Sequence, residues 1–573
     1  MRSPLLLSRG RCRWQRGRLE PRIATMRTAN AIAEMLKREG VDFVVGYPVN
    51  PIFEAAAEAD IRTIIVRQER TGIHIADAFA RMNSGDRVAV YLTQNGPGSE
   101  NSFGGLAQAW SESAPMVAIP GGYARAQSNV APNFSGLVNF QHVSKWTEQL
   151  TDANDLANAV RRAFTHAKNG RQRPVVLEIP GDLWGAEIEE PINYTPTPKH
   201  RAGPDPADAR KAAQTLVNAE RPVIYAGQGV HYARAWNQLR ELAELLEAPV
   251  TTSLQGKSAF PETHPLSLGS GGRAFPQAVH EFLRDADVVF GIGCSFAKTG
   301  FGLQMPKGPY YIHATLDPED FNNEVEISEG VVGDAALVLD AIIGEVRELI
   351  SGPRGRADAV AAKIAEINGG WRKDWSHKTD SNDTPINPYR ALRDLHATLD
   401  ETVGIDNVVA THDAGSPRDQ MSPFWTSTTP LSYIGWGKTT QLGTGLGYAM
   451  GAKVSDPEKT CLNVWGDAAI GMTGMDFETA VRENIPILSV LLNNFSMAIE
   501  LPIMKTATEK YRATDISGHY ADMAKAFGGY GERVESPGDL KEAFKRGIRA
   551  TEDGQPALIE VITSKEIDYS VFR

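Results

Sequence analysis

Two short polar motifs, each placed after an apolar run, carry the residues best suited to binding a charged ligand. Gly466-Asp467-Ala468 follows the run 460–465, and Asn493-Asn494 closes the run 486–492, with 24 residues between the two motifs. The apolar runs predict buried strands, and helical spacing over 475–484 predicts a βαβ unit with parallel strands. Both motifs should then lie at one edge of a sheet, where open α/β folds bind ligands.

The residue types in these motifs predict a diphosphate bound through a small, hard cation. Gly466, with the small Ala468 and Ala469, allows backbone N–H groups to approach phosphate oxygens closely. The Asp467 carboxylate and the Asn494 amide oxygen suit Mg²⁺, together with a main-chain carbonyl, phosphate oxygens and water. The alternative is a helix N-terminus with an unrelated acid, followed by an Asn-Asn turn.

Alternating helix and strand patterns predict an α/β fold of three domains, each built on a doubly wound parallel sheet. A chain of 573 residues is also longer than one core supports. We expect an N-terminal domain over 26–190, which opens with a helix over 28–38. A central domain should follow over 206–350, with strands over 222–226, 249–252, 287–292 and 310–316. A helical linker over 351–387 should lead to a C-terminal domain over 388–573, which carries both motifs.

The first 25 residues differ from the rest of the chain in charge. They carry seven arginines against one glutamate, whereas the whole chain has a formal net charge of −11. We expect residues 1–25 to be a disordered or non-native tail, with Met26 opening the folded protein. An arginine-rich transit sequence is the alternative.

Composition argues against several function classes. The acidic body has no basic stripe, so we expect no nucleic-acid surface. No apolar run approaches the roughly 20 residues of a membrane span, so we expect no membrane partner. Three cysteines without a pairing pattern favour a reducing compartment, and we expect a cytoplasmic protein.

The motif pair resembles the Gly-Asp-Gly and Asn-Asn signature of thiamin diphosphate (ThDP) enzymes, the family of acetolactate synthase, pyruvate decarboxylase and benzoylformate decarboxylase. Ala468 replaces the last glycine of the signature and is one methyl group larger. The order of three α/β domains resembles the acetolactate synthase group over nearly everything after Met26. The resemblance implies ThDP as cofactor, with Mg²⁺ bound by Asp467, Asn494 and the main-chain carbonyl of Ser496.

Glu69, in the stretch 66–72, matches the family's acid between a strand and a helix. The resemblance implies that its carboxyl group bonds the pyrimidine nitrogen of ThDP and promotes the imino tautomer. An acid that only complements a helix dipole is the alternative. Because relatives complete each site with the pyrimidine domain of a neighbouring subunit, a homodimer or homotetramer is implied.

Two further stretches match the cofactor-binding loops of the family. Leu442 aligns with the bulky apolar residue that wedges between the two thiamin rings, although leucines are usually core residues. The stretch 413–416 follows a strand, and we expect Gly415 and Ser416 to contribute to diphosphate binding. An ordinary turn is the alternative for this stretch.

Three residues bear on the substrate. Glu500 stands at the spacing of the second-site glutamate of pyruvate decarboxylase, where a carboxyl group could relay protons. Gln94 falls where benzoylformate decarboxylase has an active-site histidine. The turn 46–51 departs from the family's Gly-x-Pro-Gly-x pattern and leaves Asn50 near the reacting carbon. A structural asparagine in a proline-flanked turn is the alternative for Asn50.

We therefore expect a ThDP- and Mg²⁺-dependent enzyme that decarboxylates a 2-oxo acid and transfers the acyl group to an acceptor, an acetolactate-synthase-like carboligase. A simple 2-oxo acid decarboxylase that releases an aldehyde is the alternative, which Glu500 favours. A third possibility is an inactive cofactor-binding regulatory subunit, against which Glu69 and the Asp467/Asn494 pair argue. No Gly-x-Gly-x-x-Gly loop supports a nicotinamide-dependent dehydrogenase.

Flavin (FAD) binding in the central domain stays open. The stretches 268–269 and 316–318 resemble those of flavin-containing acetolactate synthases. Their flavin-associated Arg-Phe-Asp-Asp-Arg stretch, however, is Ser-Phe-Ala-Lys-Thr here, over residues 295–299.

Overall fold

The computed structural model describes residues 24–572. Three six-stranded sheets, in which every neighbouring pair of strands is parallel, follow one another along the chain. A short antiparallel pair, β1 with β8, lies beside the first sheet. This arrangement confirms the predicted α/β class with three parallel sheets.

The strands, numbered along the chain, are grouped by sheet. The short pair is β1 Thr25–Arg27 and β8 Glu187–Glu189. The first sheet contains β2 Phe43–Gly46, β3 Arg62–Ile65, β4 Val90–Thr93, β5 Met116–Gly122, β6 Trp146–Gln149 and β7 Pro174–Pro180. The second contains β9 Pro222–Ala226, β10 Val250–Ser253, β11 Ser267–Gly271, β12 Val288–Ile292, β13 Tyr310–Thr315 and β14 Glu329–Val332. The third contains β15 Val408–His412, β16 Tyr433–Ile434, β17 Thr460–Gly466, β18 Leu488–Asn493, β19 Tyr530–Val534 and β20 Ala557–Ile562.

The α-helices connect the strands and the domains. In the first half of the chain they are α1 Thr28–Arg38, α2 Ile52–Glu58, α3 Glu69–Met82, α4 Pro97–Ser111, α5 Gly136–Asn139, α6 Leu156–Lys168, α7 Pro206–Asn218, α8 Gly229–Tyr232, α9 Trp236–Leu246 and α10 Gln277–Asp285. In the second half they are α11 Ala335–Leu349, α12 Ala357–Thr379, α13 Pro388–Val403, α14 Ser416–Phe424, α15 Thr444–Ser455, α16 Asp467–Thr473, α17 Phe477–Arg482, α18 Lys505–Tyr511, α19 Tyr520–Ala526 and α20 Leu540–Glu552.

Helices cover both faces of the first sheet. In β2, Val44 lies in a core cluster with Ile32 of α1, whereas Val45 lies in a cluster with Phe79 of α3. Successive side chains of a strand point to opposite faces, so the two clusters lie on opposite sides of the sheet. This is the layering of a doubly wound sheet.

The order of the strands locates the ligand-binding edge of each sheet. The first sheet has the order β3-β2-β4-β5-β7-β6, and the third repeats it as β16-β15-β17-β18-β20-β19. The second has the order β11-β10-β9-β12-β13-β14. Connections leave in opposite directions from β2 and β4, from β15 and β17, and from β9 and β12. Ligands of open α/β sheets bind outside the carboxyl ends of strands at such switch points.

The predicted βαβ unit around the two polar motifs is confirmed. β17 and β18 are parallel neighbours, with Gly466 opposite Leu492. The single helix expected over 475–484 is shorter, since α17 covers Phe477–Arg482 after one 3₁₀ turn. A second helix, α16, begins directly at Asp467.

Two strands of the central sheet were not predicted. β11 has the sequence SLGSG and β14 the sequence EGVV, so neither shows an apolar run. Both are edge strands of their sheet. Glycine and polar residues weaken strand propensity, and pairing with a neighbouring strand overrides it here.

The boundary at Met26 stays a prediction. Strand β1 includes Thr25, which pairs with Glu189, and the carbonyl of Ala24 accepts a hydrogen bond from the N–H of Glu190. Two residues before Met26 thus take part in pairing with the segment 189–190. The rest of the predicted tail, residues 1–23, lies outside the described residues. The other domain limits stay a prediction, although α12 lies within the expected helical linker.

Among the described residues, no helix is both long enough and apolar enough to cross a membrane.

Helices α3 and α15 join the first and third sheets through a close contact. A Cβ atom on Gly447 would lie 2.5 Å from Cβ of His74, and one on Gly451 would lie 2.3 Å from the carbonyl oxygen of Ile75. Glycines are therefore required where the two helices meet. Buried Arg81 of α3 crosses this contact and donates to the hydroxyl of Tyr448 over 2.8 Å.

Candidate functional site

Asp467 and Asn494 follow two neighbouring strands of the third sheet, β17 and β18. The Asp467 carboxylate accepts hydrogen bonds from the backbone N–H groups of Ala468 and Ser496, each over 2.9 Å. Burial raises the pKa of Asp467, and these N–H donors oppose that rise. The carboxylate therefore ties the start of α16 to the turn that follows β18.

The two asparagines of the Asn-Asn pair have different roles. Nδ2 of Asn493 donates to Glu560 over 2.7 Å, and its Oδ1 accepts from the N–H of Phe495, so this side chain holds the turn. Oδ1 of Asn494 is buried and has no hydrogen-bond partner among the described residues. An unpaired buried acceptor is costly, so Asn494 is suited to receive a ligand.

These oxygens form a set that fits a small, hard cation. Asp467 supplies a carboxylate and Asn494 an unpaired amide oxygen. Ser496, two residues after Asn494 and bonded to Asp467 through its N–H, supplies a main-chain carbonyl. Oxygen ligands of this kind suit Mg²⁺. Over residues 24–572 no group of three His, Cys, Asp or Glu side chains offers a competing metal site.

A cavity of about 90 Å³ opens beside Asp467. Its lining contains the predicted metal and cofactor residues together with Glu500 of a short 3₁₀ turn. These lining residues are Gly415, Ser416, Leu442, Gly466, Asp467, Ala468, Ala469, Asn494, Ser496 and Glu500. We call this group the C-terminal half-site. The third sheet alone thus brings together ten of the residues singled out from the sequence.

The backbone around the cavity explains why Ala468 can replace a glycine. Ala468 lies inside helix α16, where right-handed backbone angles carry a Cβ atom without strain. Gly415, by contrast, has φ +88° and precedes the first residue of α14. A side chain at Gly415 would be strained, so this position requires glycine.

Asp413 holds two loops of the C-terminal half-site in place. Its buried carboxylate accepts hydrogen bonds from the N–H groups of Ala414, Gly443 and Gly445, at 2.8, 2.9 and 2.8 Å. Burial raises the pKa of Asp413 to about 7, against the effect of these donors. Asp413 lies two residues before Gly415, but the sequence did not predict that it holds these loops. The donors Gly443 and Gly445 lie 30 and 32 residues further along the chain.

Glu69 and Gln94 lie together at the switch point of the first sheet. Glu69 is the first residue of α3 and is buried, and Nδ2 of Asn101 donates to its Oε2 over 3.2 Å. A Cβ atom on Gly98 would lie 3.6 Å from Oε1 of Glu69 and 2.8 Å from Cγ of Gln94. We call Glu69, Gln94 and Asn50 the N-terminal half-site.

Asn50 lies in the same region, and its amide group bonds the backbone. Nδ2 donates to the carbonyls of Thr93 and Ile119, both over 3.0 Å, and Oδ1 accepts from the N–H of Ile52. These bonds tie the ends of β4 and β5 to the start of α2. The contacts favour the structural alternative for Asn50, and its catalytic role stays a prediction.

Within this chain the two half-sites do not form one cavity. None of Glu69, Gln94 and Asn50 belongs to the lining of the cavity beside Asp467. Large apolar side chains are exposed near both groups in the chain. Val49 precedes Asn50, Phe103 lies two residues after Asn101, and Ile503 lies three residues after Glu500.

A second cavity, of about 780 Å³, lies at the carboxyl ends of β9, β10, β12 and β13 in the central domain. The stretch 295–299 lines it, as do Leu316 and Asp317. Leu268 instead lies in the apolar core. Of the stretches that bear on flavin, 295–299 and part of 316–318 therefore reach the cavity, and 295–299 lacks the flavin-associated residues.

Three family models match the chain in the order of its sheets. "Thiamine pyrophosphate enzyme, N-terminal TPP binding domain" matches residues 26–155, and the central domain of the same enzymes matches 209–342. "Thiamine pyrophosphate enzyme, C-terminal TPP binding domain" matches 413–561. Thiamine pyrophosphate, or TPP, is another name for ThDP.

Curated relatives are similar over nearly the whole chain. A probable acetolactate synthase large subunit of Methanocaldococcus jannaschii is 30% identical over 94% of this chain and 92% of its own length. One from Methanococcus aeolicus is 29% identical over 92% of this chain and 91% of its own. A glyoxylate carboligase of Escherichia coli O157:H7 is 26% identical over 96% of this chain and 95% of its own.

We predict that Asp413→Asn destabilises the fold by about 1–3 kcal/mol, because one loop N–H would face an amide NH₂ group and lose its acceptor. Urea unfolding should show a lower midpoint with an unchanged slope. Asp553→Asn, which changes an exposed acid of the same domain, is the matched control and should leave the midpoint unchanged. Equal midpoints for the two variants would contradict the loop-holding role of Asp413.

Proposed function

Because this chain belongs to the thiamine pyrophosphate enzyme family, we propose that it is a carboligase. It would decarboxylate a 2-oxo acid and transfer the resulting acyl group to a second carbonyl compound. The observation that carries the cofactor-binding part of the proposal is the unpaired, buried Asn494 oxygen beside Asp467 in a cavity lined by the other C-terminal half-site residues. The names of the relatives, acetolactate synthase and glyoxylate carboligase, support carboligation.

In this proposal the C-terminal half-site binds the cofactor through its diphosphate. Asp467, Asn494 and the carbonyl of Ser496 would hold Mg²⁺, which would neutralise diphosphate charge. Ser416 and Ala469 lie in the first turns of α14 and α16, where N–H groups without a helical acceptor and the helix dipole favour an anion. The N–H of Ala468 instead donates to Asp467. Bound ThDP would accept the electron pair that is left when the 2-oxo acid loses carbon dioxide.

Glu69 would act as the carboxyl group that exchanges a proton with the cofactor. It is buried at the start of α3, and its bond from Asn101 sets the orientation of the carboxyl group. A carboxyl held in one orientation can share a proton at a defined atom. This arrangement argues against an inert cofactor-binding subunit, which would need no such acid.

We further propose that two subunits complete each site. Glu69 and Gln94 lie outside the cavity beside Asp467 in the same chain. Exposed Val49 is next to Asn50 in the chain, and exposed Ile503 lies three residues after Glu500. Covering such side chains with a second copy would remove apolar surface from water. The active species would then be a homodimer, or a homotetramer made of two such dimers.

Simple decarboxylation is the second candidate function, and Glu500 is the residue that favours it. Glu500 lines the same cavity as the proposed metal ligands Asp467 and Asn494. A carboxyl group there could deliver the proton that releases an aldehyde. We propose no role for flavin, because the stretch 295–299 lacks the flavin-associated residues.

A cytoplasmic location is also part of the proposal. Cys294 and Cys461 are buried free thiols, as expected of a chain that works in a reducing compartment. Cys12 lies outside the described residues.

A panel of 2-oxo acids tests the function directly. The wild-type protein, ThDP and Mg²⁺ should release carbon dioxide from at least one acid and form a new carbon–carbon bond with a carbonyl acceptor. Glu69→Gln should still bind ThDP but lower both rates by at least about 100-fold, since proton transfer contributes about 10²–10⁴-fold. Carbon dioxide release and products can be followed together by NMR. Aldehyde as the sole product would overturn carboligation, and full activity of Glu69→Gln would overturn the role of Glu69.

Asp467→Ala should weaken ThDP binding in the presence of Mg²⁺ by at least about 100-fold. Mutating a residue that only hydrogen-bonds a metal ligand typically lowers metal affinity by about 10–100-fold. Asp467 is proposed as a ligand itself, so its loss should cost at least as much. Titration calorimetry measures the affinity. Asp522→Ala removes an exposed acid of the same domain and should bind ThDP like the wild type. Unchanged affinity of Asp467→Ala would exclude the metal assignment.

Glu500→Gln should separate the two candidate reactions. If Glu500 relays a proton, aldehyde release should fall by at least about tenfold, whereas carboligation, which needs no such proton, should fall less. Product ratios from the wild type and the variant measure this partition. Glu509→Gln, an exposed acid of the helix that follows, is the control. Equal, small effects on both products would make Glu500 a structural acid.

A further inference from the structure

The segment after β20, residues 563–572, crosses from the third sheet to the central domain. We call it the C-terminal strap. It begins where the N–H of Thr563 donates to the carbonyl of Asn493, the residue that ends β18. It ends where the ring of Phe572 packs against Phe275 and His280, with ring centres 5.7 and 5.6 Å apart.

Ser570 fixes the far end of the strap. Its Oγ donates to the carbonyl of Phe275 over 2.8 Å, and its own carbonyl accepts from the N–H of Phe275 over 2.9 Å. Nε1 of Trp371, from the linker helix α12, donates to the same Oγ over 2.9 Å. Ser570 is therefore held by Phe275 of the central domain and by Trp371 of the linker helix.

Tyr569 lies beside this anchor and reaches back to the C-terminal half-site. Its hydroxyl group lies 2.8 Å from Oγ of Ser416. Ser416 lines the cavity beside Asp467, whereas Tyr569 does not. Tyr569 therefore contacts Ser416 without itself lining the cavity.

We propose that Tyr569 is a positioning residue for Ser416. Its phenolic O–H donates to Oγ of Ser416, so that the serine's own hydrogen turns into the cavity and donates to a diphosphate oxygen. This inference rests on the proposed function, in which the C-terminal half-site binds the diphosphate of ThDP.

The direction of the bond follows from the hydrogen-bond capacity of the two groups. A serine hydroxyl has one hydrogen to donate and two lone pairs. If Ser416 donated to Tyr569, no hydrogen would be left for an anion in the cavity. Burial raises the pKa of Tyr569 to about 12, so the phenol keeps its proton at neutral pH and can donate. A bond from Ser416 to a charged oxygen is roughly twice as strong as a neutral one.

The ring of Tyr569 is held in place independently of Ser416. The guanidinium of Arg273, from the central domain, lies 5.5 Å from the ring centre. Next to Tyr569 in the strap, the carbonyl of Asp568 accepts a hydrogen bond from the hydroxyl of Tyr389 over 2.8 Å. The contact with Arg273 thus holds the ring of the donor itself, whereas the bond from Tyr389 holds the neighbouring residue of the strap. Ser416 lies 153 residues before Tyr569 in the sequence.

The test compares four proteins, the wild type, Tyr569→Phe, Ser416→Ala and the double variant. Calorimetric titration with ThDP and Mg²⁺ measures the affinity of each. Tyr569→Phe should weaken ThDP binding by about tenfold, the effect of one hydrogen bond to a charged group. The double variant should bind no more weakly than Ser416→Ala, because both changes remove the same interaction. Thermal unfolding without ligand checks that each variant is folded.

Tyr389→Phe is the matched control. It removes a hydroxyl group that also holds the strap but does not touch Ser416. It should leave ThDP affinity within about twofold of the wild type. Equal losses in Tyr389→Phe and Tyr569→Phe would overturn the positioning role, since the strap as a whole would then matter.

Further outcomes separate this inference from the proposed function. The inference would be wrong if Tyr569→Phe bound ThDP as tightly as the wild type, or if the double variant lost the sum of the two single losses. The proposed function would be unaffected, because the wild type would still bind ThDP. Failure of the wild type to bind ThDP would overturn the proposed function and the inference with it. Inorganic pyrophosphate with Mg²⁺ is a second probe, and the same order of affinities is expected because it carries only the diphosphate.

Discussion

The contact between α3 and α15 is the constraint on which the arrangement of the two half-sites depends. Gly447 and Gly451 let the helix backbones approach, and the buried Arg81 is neutralised by Asp77 at 2.6 Å. Burying a charge is costly unless it is paired and hydrogen-bonded, so this network allows one arrangement of the helices. Helix α3 begins at Glu69 and α15 follows the loop of Leu442 and Gly443. One contact therefore sets the orientation of both half-sites.

Buried polar side chains that would touch no ligand hold the proposed ligand-binding residues. Asp413 binds three loop N–H groups, and Glu560 accepts from Asn493 over 2.7 Å and from the N–H of Ala521 over 3.0 Å. Because their partners are already within the fold, these groups stay satisfied without a ligand. Asn494, whose oxygen has no partner among the described residues, is left to bind one. In our proposal Tyr569 likewise bonds only within the fold, whereas Ser416 is left to bind the ligand.

The sequence by itself determined the fold class and the meeting of Asp467 with Asn494. Apolar runs marked the buried strands, and parallel strands of a βαβ unit must end at the same edge. The predicted helix over 28–38 and the strand over 222–226 coincide with α1 and β9 for the same reason, since local periodicity is strong there. The family resemblance, which the matched models confirm, rests on these local motifs.

Only the tertiary structure decided which polar side chains are satisfied within the fold. The bonds of Asn50 reach residues 43 and 69 positions away, and that of Tyr569 reaches 153 positions back to Ser416. Nothing in the local pattern encodes such distant partners, because they depend on how strands and helices pack. For the same reason β11 and β14 escaped prediction, as short polar segments become strands only through neighbours. The sequence therefore located the candidate site, and packing distinguished the side chains that hold it from those left to bind a ligand.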